Sequence, residues 1–131
     1  MSSKLLMTAS AVCMAIAGLA LSFAPAEVLA ASGVNAVPAL VVAAQLAGAL
    51  YLGFAILDWM ARESTIGGIY NRPLALGNFL HFGAGALALL KAASRTPHSM
   101  PGWIATAVYS LFAIGFGTVL FGSPRSVASA Q

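Results

Sequence analysis

The stretch PALVVAAQLAGALYLGFAILDWM, residues 38–60, decides the fold of this chain. It carries one charged side chain, Asp58, close to its end. A helix needs about 20 mostly apolar residues to cross a hydrocarbon core about 30 Å thick. A proline at its start also suits the first position of a helix. The stretch therefore predicts a membrane-spanning helix.

Three further apolar stretches of similar length predict three more spans. They run over about residues 5–23, 73–90 and 101–122. Strands of a membrane barrel would alternate apolar and polar residues over about ten positions, and no such alternation is present. We therefore expect an all-α integral membrane four-helix bundle, with a single domain over residues 1–124 and a short flexible tail over 125–131.

The composition supports a membrane location and excludes a nucleic-acid-binding protein. The chain of 131 residues is 60% hydrophobic and 7% charged, with a mean hydropathy of +0.93, against roughly 45–50% and about 25% in soluble domains. Six basic and three acidic groups give a net charge of +3, too sparse for the basic patch that nucleic acid requires. The lipid bilayer is the expected partner. Cys13, the only cysteine, excludes an intramolecular disulfide.

The first apolar stretch has two interpretations. Lys4, the apolar run and the following FAPA resemble the three parts of a cleavable signal, and cleavage would leave three spans. The run is longer than the 7–15 apolar residues usual in such signals, which favours a retained helix. The sequence PAEVLAASG, residues 25–33, then predicts a short helix at the membrane surface that is ended by Gly33.

The basic residues predict an orientation with both termini in the cytoplasm. Four basic residues would then face the cytoplasm and two the other side; they are Lys4, Arg62, Arg72 and Arg125, against Lys91 and Arg95. Cytoplasmic loops carry an excess of such residues. Aromatic rings that anchor helices at the headgroups are expected at both boundaries, namely Trp59 and Tyr70 inside and Trp103 outside.

Asp58 and Arg62 are four residues apart and therefore lie on one helical face. Such a pair commonly stabilises a helix end by a few tenths of a kcal/mol. We prefer this ion pair to a catalytic carboxylate.

Small and weakly polar residues recur at helical spacing in all four spans. The predicted faces are Thr8, Ala11, Ala15, Gly18 and Ser22; Ala44, Gly48, Tyr51, Ala55 and Asp58; Asn78, His81, Gly85 and Ala88; and Thr106, Ser110, Ala113 and Gly117. In lipid, helices associate through close packing of small residues and occasional hydrogen bonds. We expect these faces to pack together, or against a second copy, while Leu, Ile, Val and Phe face lipid.

Four side chains of the two central spans predict a ligand-binding pocket that opens to the cytoplasm: Tyr51, Asn78, His81 and Asp58. At 1.5 Å per residue, Tyr51 and His81 both lie about 12–14 Å from the inner boundary, so they can meet. Ionisable groups at membrane depth suggest a functional site. The alternative, which we weight more heavily, is a neutral His81 that hydrogen-bonds to Tyr51 and holds the helices together.

The sequence offers no cofactor or metal chemistry. His98 lies in the predicted outer loop, so it cannot pair with His81 to hold a haem, and no metal-ligand spacing is present. Gln45 is a lone amide, whose common use is a hydrogen bond between helices. We therefore expect no enzymatic activity.

Three segments resemble small bacterial four-span inner-membrane proteins of unknown function, distantly similar to the DoxX-type group. The segments are LSFAPAEVLAASG, GALYLGFAILDWMAR and IYNRPLALGNFLHF, residues 21–33, 48–62 and 69–82. The resemblance implies a four-helix bundle and brings no substrate or catalytic residue with it.

These observations favour a structural or accessory membrane protein. Its helix faces would pack into a homo-oligomer or a larger membrane complex, and a lipid- or quinone-like molecule is a candidate occupant of the inner pocket. The alternative function is an oligomeric small-molecule transporter or channel lined by Tyr51, Asn78 and His81.

Overall fold

The computed structural model describes residues 3–63 and 72–122, and over these residues the chain is an all-α bundle. Its helices are α1 (Ser3–Phe23), α2 (Pro25–Ala31), α3 (Pro38–Ala61), α4 (Arg72–Arg95) and α5 (Met100–Phe121). All but α2 are long and apolar enough to cross a membrane. The predicted fold class is confirmed. The predicted tail, Tyr70 and Arg125 lie outside the described residues.

Local sequence signals explain where the helices begin and end. Proline occupies the first turn of α2, α3 and α5, where its missing N–H costs no hydrogen bond. Ser99 caps α5, since its hydroxyl accepts a hydrogen bond from the Gly102 N–H at 3.3 Å. Gly33 follows α2 with a φ of +73°, a left-handed conformation that suits glycine. The third span continues past the predicted Leu90 to Arg95.

The spanning helices form two closely packed antiparallel pairs, α1 with α3 and α4 with α5. In the first pair the small-residue face is confirmed. Gly18 and Gly48 lie opposite each other, and a Cβ on Gly48 would stand 2.9 Å from the carbonyl oxygen of Gly18. Only glycine at both positions permits the two backbones to lie so close. Ala44, Gly48, Ala55 and Asp58 are the buried residues of α3, all from the predicted face.

The second pair packs differently from the prediction, because aromatic rings fill its interface. Phe82 and Phe116 are fully buried, with ring centroids 5.9 Å apart, so the expectation that phenylalanine faces lipid is wrong for these two. Glycine makes room for rings: Gly85 faces the ring of Tyr109 and Gly117 faces the ring of Phe79. The predicted small face of α4 also ends early, because Ala88 is exposed. Large rings offer more contact area than small residues.

The two pairs meet in one apolar core. Leu6, Met7 and Met14 of α1 pack with Phe82 and Phe116 of the second pair, each at most 3% exposed. Outside this core, large apolar side chains such as Ile16, Leu46, Leu87 and Ile114 are mostly exposed, at 64–71%. An apolar exterior of this kind suits a helix bundle immersed in lipid.

Candidate functional site

Asp58 is fully buried one turn before the end of α3 and joins three helices. Ser10 of α1 donates a hydrogen bond from Oγ to Asp58 Oδ2, at 2.5 Å. Asn78 of α4 donates from Nδ2 to Asp58 Oδ1, also at 2.5 Å. Ser10 and Asn78 are themselves fully buried. We call these three residues the Asp58 cluster.

The arrangement corrects the predicted ion pair between Asp58 and Arg62. The Arg62 guanidinium lies 3.6 Å from the centroid of the Trp59 ring, a cation–π contact, and donates a hydrogen bond of 2.8 Å to the Trp59 carbonyl. It also lies 3.5 Å from Glu63. Arg62 therefore turns towards the polar end of the bundle, where its charge stays solvated, while the Asp58 carboxyl turns into the interior. The predicted pair is wrong for this reason.

An exposed ion pair closes the same end of the bundle. Lys4 Nζ lies 2.9 Å from Glu63 Oε2. The hydrogen bond from Lys4, more than any other contact, holds the pKa of Glu63 below its usual value, and the charges of Lys4 and Arg62 act in the same direction. The contact brings the beginning of α1 and the end of α3 together at one end of the bundle.

His81 lies deeper in the bundle, inside a cage of four aromatic rings. Its ring centroid is 5.2 Å from that of Tyr51, 5.4 Å from Phe54, 5.1 Å from Phe82 and 5.7 Å from Tyr109. Its Nε2 atom is buried and has no hydrogen-bond partner among the described residues. We call these five residues the His81 cage. Since α3, α4 and α5 all contribute to it, the cage joins the two helix pairs.

The two tyrosine hydroxyls of the cage hydrogen-bond to each other. The bond crosses from Tyr51 of α3 to Tyr109 of α5. The predicted hydrogen bond from His81 to Tyr51 is therefore replaced by an edge-to-face ring contact, with an interplanar angle of 88°. Tyr51 therefore holds two helices together as expected, but its hydrogen-bond partner is Tyr109 and not His81.

The four predicted site residues fall into two neighbouring groups, Asp58 with Asn78 and Tyr51 with His81. Four surface grooves lie elsewhere on the described residues, and none of these four is lined by a predicted site residue. One of them, between α1 and α3, has a volume of about 300 Å³ and apolar walls. Ligand binding by the four predicted residues stays a prediction.

Sequence reasoning missed Ser10 and Tyr109. Ser10 lies one residue before Ala11 of the predicted face of α1, and an antiparallel register anchored at Lys4 and Glu63 brings it opposite Asp58. Tyr109 lies three residues after Thr106 of the predicted face of α5. In both cases the missing signal was the register between helices, which a single sequence does not contain.

The chemistry available at both groups is hydrogen bonding and proton binding. Within residues 3–63 and 72–122, no three His, Cys, Asp or Glu side chains lie close enough to hold a metal ion. No family model, curated protein or solved structure matches the chain. The resemblance to the DoxX-type group therefore stays a prediction.

Proposed function

We propose that the protein is a structural or accessory membrane protein without enzymatic activity. Its spanning helices assemble as a homo-oligomer or as a subunit of a larger membrane complex. The supporting observation is that buried polar side chains of the two central spans form hydrogen bonds between helices. Ser10 and Asn78 bond to Asp58, and Tyr51 bonds to Tyr109. Interhelical hydrogen bonds of this kind hold membrane helices in register.

The same contacts speak against a water-filled path through one copy of the bundle. Phe82 and Phe116 lie fully buried between the helix pairs, and the His81 cage fills the space beside them. The outer surface is apolar and interrupted by shallow grooves, such as the one beside Gly83 and Ala84 between α4 and α5. That surface suits lipid or the helices of a partner, with a lipid- or quinone-like molecule as a candidate ligand.

We place the protein in a bacterial cytoplasmic membrane with both termini inside. The ion pair of Lys4 with Glu63 puts two of the predicted cytoplasmic segments at one end of the bundle, and Arg62 lies at that end as well. Lys91 and Arg95 lie at the other end of α4. The distribution follows the positive-inside rule.

Native mass spectrometry of the full chain, purified in a mild detergent, tests the proposal. We expect a discrete oligomer or a complex with other membrane proteins. Reporter fusions after Glu63 and after Arg95 test the orientation, and we expect the first to report a cytoplasmic position and the second an external one. A stable monomer that carries no partner and that transports or transforms a solute in liposomes would refute the proposed function.

An oligomeric transporter or channel is a second candidate. It is favoured by His81, whose buried Nε2 has no partner in the described part of the chain and is therefore free to bond to a solute. Flux into liposomes should then differ between the wild type and a His81→Ala variant. Equal flux would exclude a role for this side chain in transport.

A further inference from the structure

We propose that the Asp58 cluster is a proton-binding site, and that binding and release of its proton control the packing of α1, α3 and α4. The inference rests on the burial and the partners of one carboxyl group. It is independent of the proposed function.

Asp58 is the one acidic residue within the four spanning helices, since the other two acids of the sequence are Glu27 and Glu63. Its side chain is fully buried. In the described residues, neither lysine nor arginine lies within ion-pair distance of it. A buried carboxylate without a positive partner is costly, whereas the neutral acid is not. The closed bundle therefore accommodates the protonated group.

The partners of Asp58 suit both protonation states. Ser10 carries a hydroxyl and Asn78 an amide, and each of these groups both donates and accepts hydrogen bonds. With the carboxylate, Ser10 donates to Oδ2 as the structure shows. With the acid, the O–H of Asp58 donates to Ser10 Oγ, and the Ser10 hydrogen turns towards a carbonyl of its own helix, as Thr8 does with Lys4. Asn78 keeps its bond to Oδ1 in both states.

Asn78 supplies the second, independent observation. The residue is fully buried, and its Oδ1 atom accepts no hydrogen bond within the described residues. A partly negative acceptor beside a carboxylate is unfavourable, and protonation of the carboxyl removes this repulsion. A site built to hold a permanent carboxylate would instead present lysine or arginine.

Other ionisable groups are few on the surrounding helices. Lys4 on α1 pairs with Glu63, and Arg62 on α3 lies over Trp59. The thiol of Cys13, three residues after Ser10 on α1, is partly buried. On α4, Arg72 stands at the helix start, six residues before Asn78, and His81 lies one turn beyond it among aromatic rings. The half of α5 that follows Tyr109 carries no ionisable side chain. Asp58 is therefore the group whose titration acts directly on the interface of three helices.

Release of the proton leaves a carboxylate, and its charge must then be solvated by water. Asp58 lies close to the end of α3, one turn from Arg62, so a small separation of α1 and α4 admits water from that face of the membrane. Beyond the His81 cage, the buried residues of α3 are Gly48 and Ala44, whose side chains carry no ionisable group. We therefore expect Asp58 to exchange its proton with the nearer end of the bundle.

Infrared difference spectroscopy of the full chain in lipid nanodiscs, recorded as the pH is raised, tests the proposal. We expect a carbonyl band of a protonated carboxyl at neutral pH that disappears on alkalinisation. The band should be absent from the Asp58→Asn variant and unchanged in Glu27→Gln, a matched control in the surface helix α2. Absence of the band from the wild type, or its persistence in Asp58→Asn, overturns the proposal.

Thermal unfolding across the same pH range tests the link to helix packing. The melting temperature of the wild type should fall as Asp58 loses its proton, and that of Asp58→Asn, which mimics the neutral acid, should not. Equal pH profiles overturn the link. The melting temperatures measured in sodium chloride and in choline chloride should be equal. A higher melting temperature in sodium chloride that is lost in Asp58→Asn would show that the site binds sodium and not a proton.

A second variant keeps the test decisive should Asp58→Asn fail to fold. Ser10→Ala retains the carboxyl and removes the partner that accepts its hydrogen. We expect the carbonyl band to remain and to shift towards the position of a less strongly hydrogen-bonded acid. An unshifted band would contradict the role of Ser10.

Discussion

Replacing Gly48 with alanine should destabilise the bundle, because α1 and α3 touch through their backbones at this point. The new Cβ would lie 2.5 Å from Ser22 Oγ, 2.8 Å from the Ser22 nitrogen and 2.9 Å from the carbonyl oxygen of Gly18. Two of these atoms belong to the backbone and cannot turn away. The helices must therefore separate.

The size of the effect follows from the distances. Ordinary van der Waals contact for a Cβ begins near 3.4 Å, so α1 has to move by about half an ångström along the whole contact. Overpacking of this kind costs about 1–3 kcal/mol. Alanine also stabilises a helix by about 1 kcal/mol relative to glycine. The measured change in stability must therefore be corrected for this gain in helix propensity.

Gly53→Ala provides the matched control. Gly53 lies in the same helix, five residues further on, and a Cβ there would meet no atom within 4 Å. Both variants gain the same helix propensity, so their difference isolates the contact with α1. Unfolding in mixed micelles with increasing dodecyl sulfate, followed by circular dichroism, should show Gly48→Ala less stable by about 1–3 kcal/mol, a factor of about 5–150 in the unfolding equilibrium.

Equal stability of Gly48→Ala and Gly53→Ala would show that the backbones do not approach each other at Gly18 and Gly48. A Gly48→Ala variant more stable than its control would contradict the antiparallel register of α1 and α3.

Three further predictions concern other contacts. Gly85→Ala should displace the Tyr109 ring, which a new Cβ would approach to 2.5 Å, and tyrosine fluorescence or near-ultraviolet circular dichroism should report the change. A double-mutant cycle of Tyr51→Phe and Tyr109→Phe should give a coupling free energy of about 0.6 kcal/mol, with about 1.7 as an upper bound; additive effects would exclude the hydroxyl bond. Lys4→Met should raise the pKa of Glu63 towards its ordinary value in an NMR titration, since the Lys4 hydrogen bond holds it down. The wild-type contact therefore stabilises the fold above the ordinary glutamate pKa, and this contribution disappears as the pH falls through the lowered one.

Hydropathy alone predicts most of the fold. The four spans stand out because an uninterrupted apolar run of this length has few other uses, and prolines mark the starts of α3 and α5. The small-residue face of α3 was also readable, since Ala44, Gly48 and Ala55 recur at helical spacing and all three are buried. In α3, periodicity identifies the buried face because its small residues differ clearly in size from the rest.

Only part of the site could be predicted from the sequence, because its contacts depend on the rotation and the register of the helices relative to one another. The depth calculation correctly brings Tyr51 and His81 together, since both helices are measured from the same boundary. It does not say that Asp58 turns inwards to Ser10 while Arg62 turns out to Trp59. A spacing of four residues permits an ion pair. In this structure Arg62 keeps its charge solvated at the end of the bundle, while the Asp58 side chain fills the contact between α1, α3 and α4, so the two side chains turn apart.

The division into two antiparallel pairs has a consequence for the biogenesis of the protein. During synthesis, α1 and α3 can complete their glycine contact before α4 has left the ribosome, and at that stage Asp58 has Ser10 as its partner but not Asn78. The later hairpin supplies the missing amide together with Phe82. Docking of the two hairpins is thus stabilised by the hydrogen bond from Asn78 to Asp58. Two separately expressed halves, divided between α3 and α4, should therefore associate through the same bond.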